Sequence, residues 1–308
     1  MPAITFKPLY MQRIWGGRNL ETIYHRDLPD PHSAYGEAWE IVDREDAQSI
    51  VCDGQFAGKS LHELWQNHRQ EIFGIDFIEN TRFPILIKIL DSSDDLSIQV
   101  HPPAHLAKQF NGEPKTEMWY IAKARPGSKL YIGIKQGVTR ESFEQAIAEG
   151  TVADVVHSIT PDHGDFIFIE SGRIHAIGAG FLIHEIQQNS DTTYRVFDWN
   201  RKDSNGNPRD LHIKESLACI DFKDTKAEIE TPIDKTLVSC PYFTTTLHRL
   251  STGETIGNPN PDQFSLITVV SGSLDHIYAI GQTILLPKSS EPLTASELTT
   301  VLQITIPT

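Results

Sequence analysis

Cysteine is scarce in this chain, with three in 308 residues: Cys52, Cys219 and Cys240. They are scattered, odd in number and form no C-x-x-C pair, which excludes a disulfide framework and a cysteine-rich zinc site. Small buried hydrophobes in a reducing compartment are the expectation. Long apolar runs are missing too. None reaches the roughly 18 residues that span a bilayer, and the longest, 83–90, is broken by Lys88. The opening MPAITFKPLY has no basic region leading into an apolar one, so no secretory signal and a cytoplasmic location are expected. Positive charge is also in short supply. The 27 Lys and Arg against 41 Asp and Glu give a formal charge of −14, a field that disfavours nucleic acid and anionic membrane surfaces. The same field opposes an anionic small molecule, so a chain that handles one must gather basic side chains locally.

Several familiar motifs are absent or incomplete. The run Gly54-Gln-Phe-Ala-Gly58-Lys59-Ser60 is one residue short of a phosphate-binding loop and follows no convincing buried strand. Ser60 reads better as a helix cap. Gly16-Gly17 lacks dinucleotide-binding spacing, and no G-x-S-x-G elbow is present, which leaves no serine-hydrolase signature.

What the chain does have is short alternating runs bounded by Gly, Pro, Asn and Asp: LSIQVH, EMWYIAKA, KLYIGIK, DFIFIE, FLIHEIQ, TYRVFDW, FSLITVVSG and QTILLP. Period-two alternation with aromatic and β-branched enrichment predicts half-buried strands, and many such strands at short spacing predict a sandwich or barrel. Helices are few. Ser60 and Glu63 form a capping box ahead of Leu61, Leu64, Trp65, His68 and Ile72, predicting a helix from 60 to about 74. Shorter helices are predicted over 103–110, 139–149 and 211–220, the second closed by Gly150. Composition shifts near residue 222, after which the chain is Thr-rich with only His248 and His276. Two domains are therefore expected, 1–222 carrying the chemistry and a smaller β domain over 223–308.

The segment Leu96-Ser-Ile-Gln-Val-His101 alternates cleanly. Leu96, Ile98 and Val100 face one way, Gln99 and His101 the other, and Pro102-Pro103 ends the strand. Glu117 opens the next strand, expected as an antiparallel return beside the first. In Gly164-Asp-Phe-Ile-Phe-Ile-Glu-Ser-Gly172-Arg-Ile-His175 a strand makes a glycine turn and presents a His. Three strand ends can thus converge with two imidazoles, a carboxylate and the neutral oxygen of Gln99. That set leaves positions open for water or substrate oxygens. Zinc, manganese, iron and cobalt all accept mixed N/O ligands, so spacing does not choose among them.

At these residues the sequence resembles the type I mannose-6-phosphate isomerases, in the short bacterial form. The resemblance runs from Leu9 to about Lys214 through PLYMQRIWGGRNL, GEAWEIVDR, PILIKILDSSDDLSIQVHPP, KTEMWYIA, GDFIFIESGRIHAIGAG and HEIQQNSDTTYRVFDWNR; the tail after 222 matches loosely. It implies a mainly β fold of bicupin-like jelly-roll barrels with a small helical insertion, and interconversion of mannose 6-phosphate and fructose 6-phosphate through an enediol. It implies zinc, held by Gln99, His101, Glu117 and His175, and an active-site arginine at Arg195. The family pattern has proline before the glycine turn where this chain has Glu170. The tail carries no clean second copy of the metal blocks, so one ion per chain is expected, with other divalent metals open.

Enediol chemistry needs a base, charge stabilisation on two oxygens and a grip on phosphate. Glu185, a carboxylate on an apolar strand, is the candidate base, since burial raises a carboxylate toward neutrality; by its offset from Arg195 it also resembles the family's base. Arg195 is the candidate to orient or stabilise the oxygens, against a structural pairing with Asp191 or Asp198. Lys88 lies inside Pro-Ile-Leu-Ile-Lys-Ile-Leu, where an unpaired ammonium is costly; contact with substrate, proton transfer and pairing with Glu37 or Glu40 all fit. Arg201 and Lys214 are the candidates for phosphate. Trp15 reads as core. The expected partner is a phosphosugar, with oligomeric state undetermined. The competing reading is a non-catalytic cupin that binds sugar phosphate; an oxygenase-type cupin also fits two His and one carboxylate, but not the block around Arg195.

Overall fold

The computed structural model describes residues 1–74, 81–202, 206–226, 228–231 and 235–307. By contact the chain forms two compact units, each assembled from separated pieces. The first comprises Met1–Tyr10, Ala38–Ile89 and Pro232–Thr308, the second Met11–Glu37 and Leu90–Thr231. No helix among the described residues is long and apolar enough to cross a membrane.

The first unit is built on a seven-stranded antiparallel sheet. Its order is Thr236–Ser239, Thr244–Leu250, Thr299–Thr305, Ser265–Ser271, Thr283–Leu286, Ile4–Lys7 and Ile50–Val51. The strands near the C terminus therefore pair with one from the N terminus, Leu285 standing opposite Ile4. Alternation sends Ile267, Val269, Ile284, Leu286 and Val301 into one core.

Ser60 caps a helix in this unit as expected. Its Oγ accepts from Glu63 N at 3.1 Å, and Glu63 Oε2 accepts from Ser60 N at 2.8 Å. The α-helix covers only Leu61–Asn67, however, and a π-helical turn follows over Arg69–Phe73. The reason is local. The Arg69 side chain donates from Nε to the Trp65 carbonyl at 2.9 Å, the acceptor that the Arg69 backbone N–H would use in an α-helix. The wider turn then bonds Gly74 N to Arg69 O at 3.2 Å.

The second unit contains the two-layer arrangement of a jelly roll. In one layer Glu117–Ala124 lies between Phe166–Ile169 and Phe181–Gln188. The other is a five-stranded sheet in the order Tyr194–Phe197, Ile98–Val100, His175–Ile177, Leu130–Ile134 and Val156–Ile159. Between the layers Trp119, Ile121, Ile167 and Ile183 of the first meet Leu130, Ile132 and Ile177 of the second.

The far face of the five-stranded sheet is covered by Phe143 and Ala146 of the helix Arg140–Glu149 and by Leu217 and Cys219 of Ile213–Cys219. Ile98, Val100, Ile174, Ala176, Tyr194 and Val196 share a cluster with Phe143, Leu217 and Cys219. Successive side chains alternate across a strand, so Gln99, His175 and Arg195 face the inner layer. Register agrees: Arg195 stands opposite Gln99, and Gln99 opposite His175. The helix Arg140–Glu149 ends as expected at Gly150, left-handed at φ 71°, and begins with a Thr139–Ser142 capping box. The expected 103–110 helix is a short α-turn, Ala104–Ala107, continued as 3₁₀ over Lys108–Phe110.

One expectation is corrected. Glu117–Ala124 is not the antiparallel return of the strand that ends at His101. It pairs with Phe166–Ile169 and Phe181–Gln188, in the opposite layer. Glu117 reaches the two histidines across the sandwich rather than along a hairpin.

Candidate metal centre

His101, Glu117 and His175 are buried, and one ligand atom from each lies within 4.8 Å of the others. Glu117 Oε2 is 3.6 Å from His101 Nε2, and Oε1 is 3.5 Å from His175 Nε2. Donor atoms each about 2.1 Å from a common ion in tetrahedral array stand about 3.4 Å apart, so the spacing is that of a coordination shell.

The chemistry of the donors supports this fit. His101 Nδ1 donates to the Thr192 carbonyl at 2.8 Å, and His175 Nδ1 to the Arg173 carbonyl at 2.9 Å. Each backbone bond fixes the tautomer and turns an Nε2 lone pair inward, as the outer partners of a metal histidine do. Both oxygens of Glu117, fully buried, accept no hydrogen bond from the described residues. A buried carboxylate that accepts no hydrogen bond is costly unless cations meet it. Gln99 joins the cluster, its amide nitrogen 3.4 Å from His175 Nε2; rotating the amide by half a turn presents its oxygen there instead.

A residue to which the sequence reading gave no role, Lys115, stands in the centre. Its Nζ is 2.9 Å from Glu117 Oε2, an ion pair whose angles fall outside hydrogen-bond geometry. It is 3.3 Å from His101 Nε2 and 3.8 Å from Glu185 Oε1. Burial alone would lower the lysine's pKa; the Glu117 and Glu185 carboxylates outweigh it and hold the ammonium charged above the ordinary lysine range. Burial would raise Glu117, but Lys115 and then His101 hold it well below the usual carboxylate range. His101 is pulled down to about 3 by burial and then by the Lys115 charge, and His175 is lowered, first by burial. Both imidazoles are therefore neutral and able to donate a lone pair at neutral pH.

Glu185 faces Trp119 across the strand pair, and its Oε2 accepts from the indole Nε1 at 3.0 Å. Arg195 is half-buried; its Nε donates to Ser97 Oγ at 3.3 Å and its Nη1 to the Asp210 carbonyl at 2.8 Å. Burial and the nearby Arg209 lower its pKa.

Each remaining candidate has surroundings of its own. Arg201 pairs with Asp198 at 2.6 Å and Asp94 at 3.4 Å, and Arg209 shares the same Asp198. Lys214 is exposed on the helix Ile213–Cys219. Lys88 belongs to the first unit, where it is buried with its ammonium 5.0 Å from the Trp39 ring. Glu37 receives Arg13 on both oxygens, at 3.0 and 3.1 Å. Trp15 sits in the core with Trp119.

The profile of the family described as "Phosphomannose isomerase type I, catalytic domain" matches residues 4–117. The mannose-6-phosphate isomerase ManA of Bacillus subtilis is 37% identical over 298 residues, covering 92% of each chain. The mannose-6-phosphate isomerase of Streptococcus mutans is 37% identical over 281 residues, covering 86% of this chain and 85% of that one. The crystal structure of a mannose 6-phosphate isomerase from Bacillus subtilis superposes with a TM-score of 0.88 at 30% identity, over 99% of this chain and 100% of that one. With that identity over nearly its whole length, and with the buried cluster in place, the chain belongs to the type I phosphomannose isomerases.

Proposed function

We infer that this chain interconverts D-mannose 6-phosphate and D-fructose 6-phosphate through an enediol, with one divalent ion held by His101, Glu117 and His175 and with Gln99 as a further donor. Zinc is the ion that the family implies, and two imidazoles and a carboxylate with room for substrate oxygens suit it as they suit other divalent metals. The observation that carries the reading is the Glu117 carboxylate, buried, accepting no hydrogen bond, and facing two oriented imidazole lone pairs.

When bound, the ion polarises the carbonyl and adjacent hydroxyl oxygens of the sugar and fixes their position. The chain's own residues do the rest. Glu185, held by the Trp119 indole, serves in this reading as the base that takes the proton from C2 of the aldose. The C–H electron pair becomes the C1=C2 bond, and O1 gains a proton. Return of a proton to C1, with loss of the O2 proton, gives the ketose. The Lys115 ammonium, between Glu117 and Glu185, offsets negative charge growing on the oxygens.

Arg195 is anchored through Nε and Nη1. Among the described residues its Nη2 donates to none, which leaves it for a substrate oxygen. Arg201 and Lys214 serve as the proposed phosphate contacts, and Lys88 as a buried cation completing the set. Every residue proposed to touch metal or substrate falls within 1–222, so 223–308 is assigned support rather than chemistry. A cytoplasmic location, expected from free cysteines, belongs to the same reading.

The test is a coupled assay of mannose 6-phosphate turnover before and after chelation, with metal analysis of protein purified without added metal. Turnover that disappears with chelator and returns with zinc is expected. Absence of metal-sensitive turnover at millimolar substrate favours the non-catalytic sugar-phosphate-binding cupin instead.

A further inference from the structure

The Thr192 carbonyl holds the His101 imidazole, but the His101 backbone and the His175 imidazole are both held by one turn. His175 Nδ1 donates to the carbonyl of Arg173. The carbonyl of His101 accepts from Gly172 N at 2.9 Å. Gly172 and Arg173 belong to the turn 170–173, closed by Arg173 N to Glu170 O at 3.0 Å, with Gly172 at φ 95°. A side chain is strained at that φ, and a Cβ there would also stand 3.1 Å from the Cys219 carbonyl.

A second segment, 221–226, is fastened onto this turn. Asp221 N donates to Gly172 O at 2.9 Å, and Ile134 N to Asp224 O at 3.0 Å. The Arg173 guanidinium closes the junction. Nη1 donates to Phe168 O at 2.9 Å, and Nη2 to Lys226 O at 3.1 Å and Asp224 Oδ1 at 3.3 Å. Nε lies 2.8 Å from Asp224 Oδ2 without aiming its hydrogen there. The Arg173 and Asp224 side chains are 15% and 18% exposed, so the pair is largely shielded from solvent screening. A cleft of about 480 Å³ opens beside it, lined in part by Phe168, Arg173, Asp221, Asp224 and Lys226. Trimming the pair therefore opens onto space rather than overpacking a core.

We propose that 221–226, fastened through the Arg173–Asp224 ion pair, is a strut that fixes the His175 imidazole and the backbone carrying His101, making Arg173 and Asp224 positioning residues. The proposal rests on the metal-centre reading above. Without the strut the turn is free to shift, the Arg173 carbonyl moves off His175 Nδ1, and the Gly172 bond no longer sets the backbone at His101. Loss of such an outer contact lowers metal affinity by about 10–100-fold.

The experiment is a titration of the metal-stripped full chain with Co²⁺, followed by its visible absorption and by competition with a chelator, at a temperature where each variant is folded by circular dichroism. Arg173→Ala and Asp224→Asn are expected to weaken cobalt binding about 10–100-fold and to alter the band shape, while Asp224→Glu recovers part of the affinity lost in Asp224→Asn. If Arg173→Ala does not fold, Asp224→Asn carries the test. A purely structural pair would lower thermal stability and leave affinity and band shape at the wild-type values, and that result overturns the strut. Failure of the wild-type chain to bind cobalt is a different outcome, since it removes the metal-centre reading beneath the proposal.

Discussion

Two carboxylates, one in each unit, are equally inaccessible to water and treated in opposite ways. Asp43, in the first unit, is enclosed by donors. Its Oδ1 accepts from Arg82 Nη1 at 3.0 Å and Gln48 Nε2 at 2.9 Å; its Oδ2 accepts from Phe83 N at 2.9 Å and faces His62 Nδ1 at 3.1 Å. Glu117, in the second, accepts no hydrogen bond from the described residues; it faces imidazole lone pairs and the Lys115 ammonium. A carboxylate whose lone pairs are consumed by N–H groups stabilises the chain around it. One that accepts no hydrogen bond and is held ionised by a single ammonium keeps capacity for a metal cation, which would offset more of its burial cost.

The largest expected effects separate these two functions. His101→Ala, His175→Ala and Glu117→Gln should each lose bound metal and turnover together, with rates down about a thousandfold or more, or about 4 kcal/mol of barrier. Metal analysis alongside the assay checks this, and full occupancy in any one of them strikes that residue from the ligand set. Arg195→Ala should retain its metal and lose rate by about 10²–10³-fold; loss of metal instead would make its role structural. Asp43→Asn should behave in the reverse sense, keeping metal content while losing about 1–3 kcal/mol in a denaturant titration.

The smallest effect is a slope. His184 is buried, its Nε2 2.9 Å from the Tyr24 hydroxyl and its Nδ1 without a hydrogen bond. Burial, and then Arg26, pull it down to about 3. Its folded pKa lies below the unfolded value near 6.5, so its contribution is intact above that pH. As pH falls toward 3 the unfolded chain binds a proton that the fold refuses, and stability drops by about 1.4 kcal/mol per pH unit. His184→Gln should flatten the stability profile between pH 6 and 4 by about one proton; an unchanged slope would mean that His184 titrates within the fold.

Much of the centre was legible because it is written in local alternation. Gln99 and His101 share a face by strand period, and a glycine turn precedes His175. What was not legible depends on residues distant in the chain. Lys115 sits just ahead of a strand in a polar loop, a position that reads as solvent. It is buried because its neighbours are tied down from elsewhere, Thr116 N to Gln188 Oε1 and Thr116 Oγ1 to Ser171 Oγ. The placement of Glu117 was misread for a related reason: proximity in sequence suggested a hairpin, whereas pairing with 166–169 and 181–188 moved its strand to the other layer. The strut hinges on an arginine and an aspartate 51 positions apart, and the donors around Asp43 come from up to 40 positions away. The capping box at Ser60 was readable because it closes within three residues.

Gln99, His175 and Arg195 lie on adjacent strands and project into the sandwich because each occupies the same phase of its strand's pleat. Evolution can therefore lengthen or shorten the connections between these strands freely. Inside Ile98–Val100, His175–Ile177 or Tyr194–Phe197 a single inserted or deleted residue would turn the side chains beyond it toward the covering helices. Only paired changes preserve the phase, so homologous chains should differ in length at their loops while these three short strands stay in step.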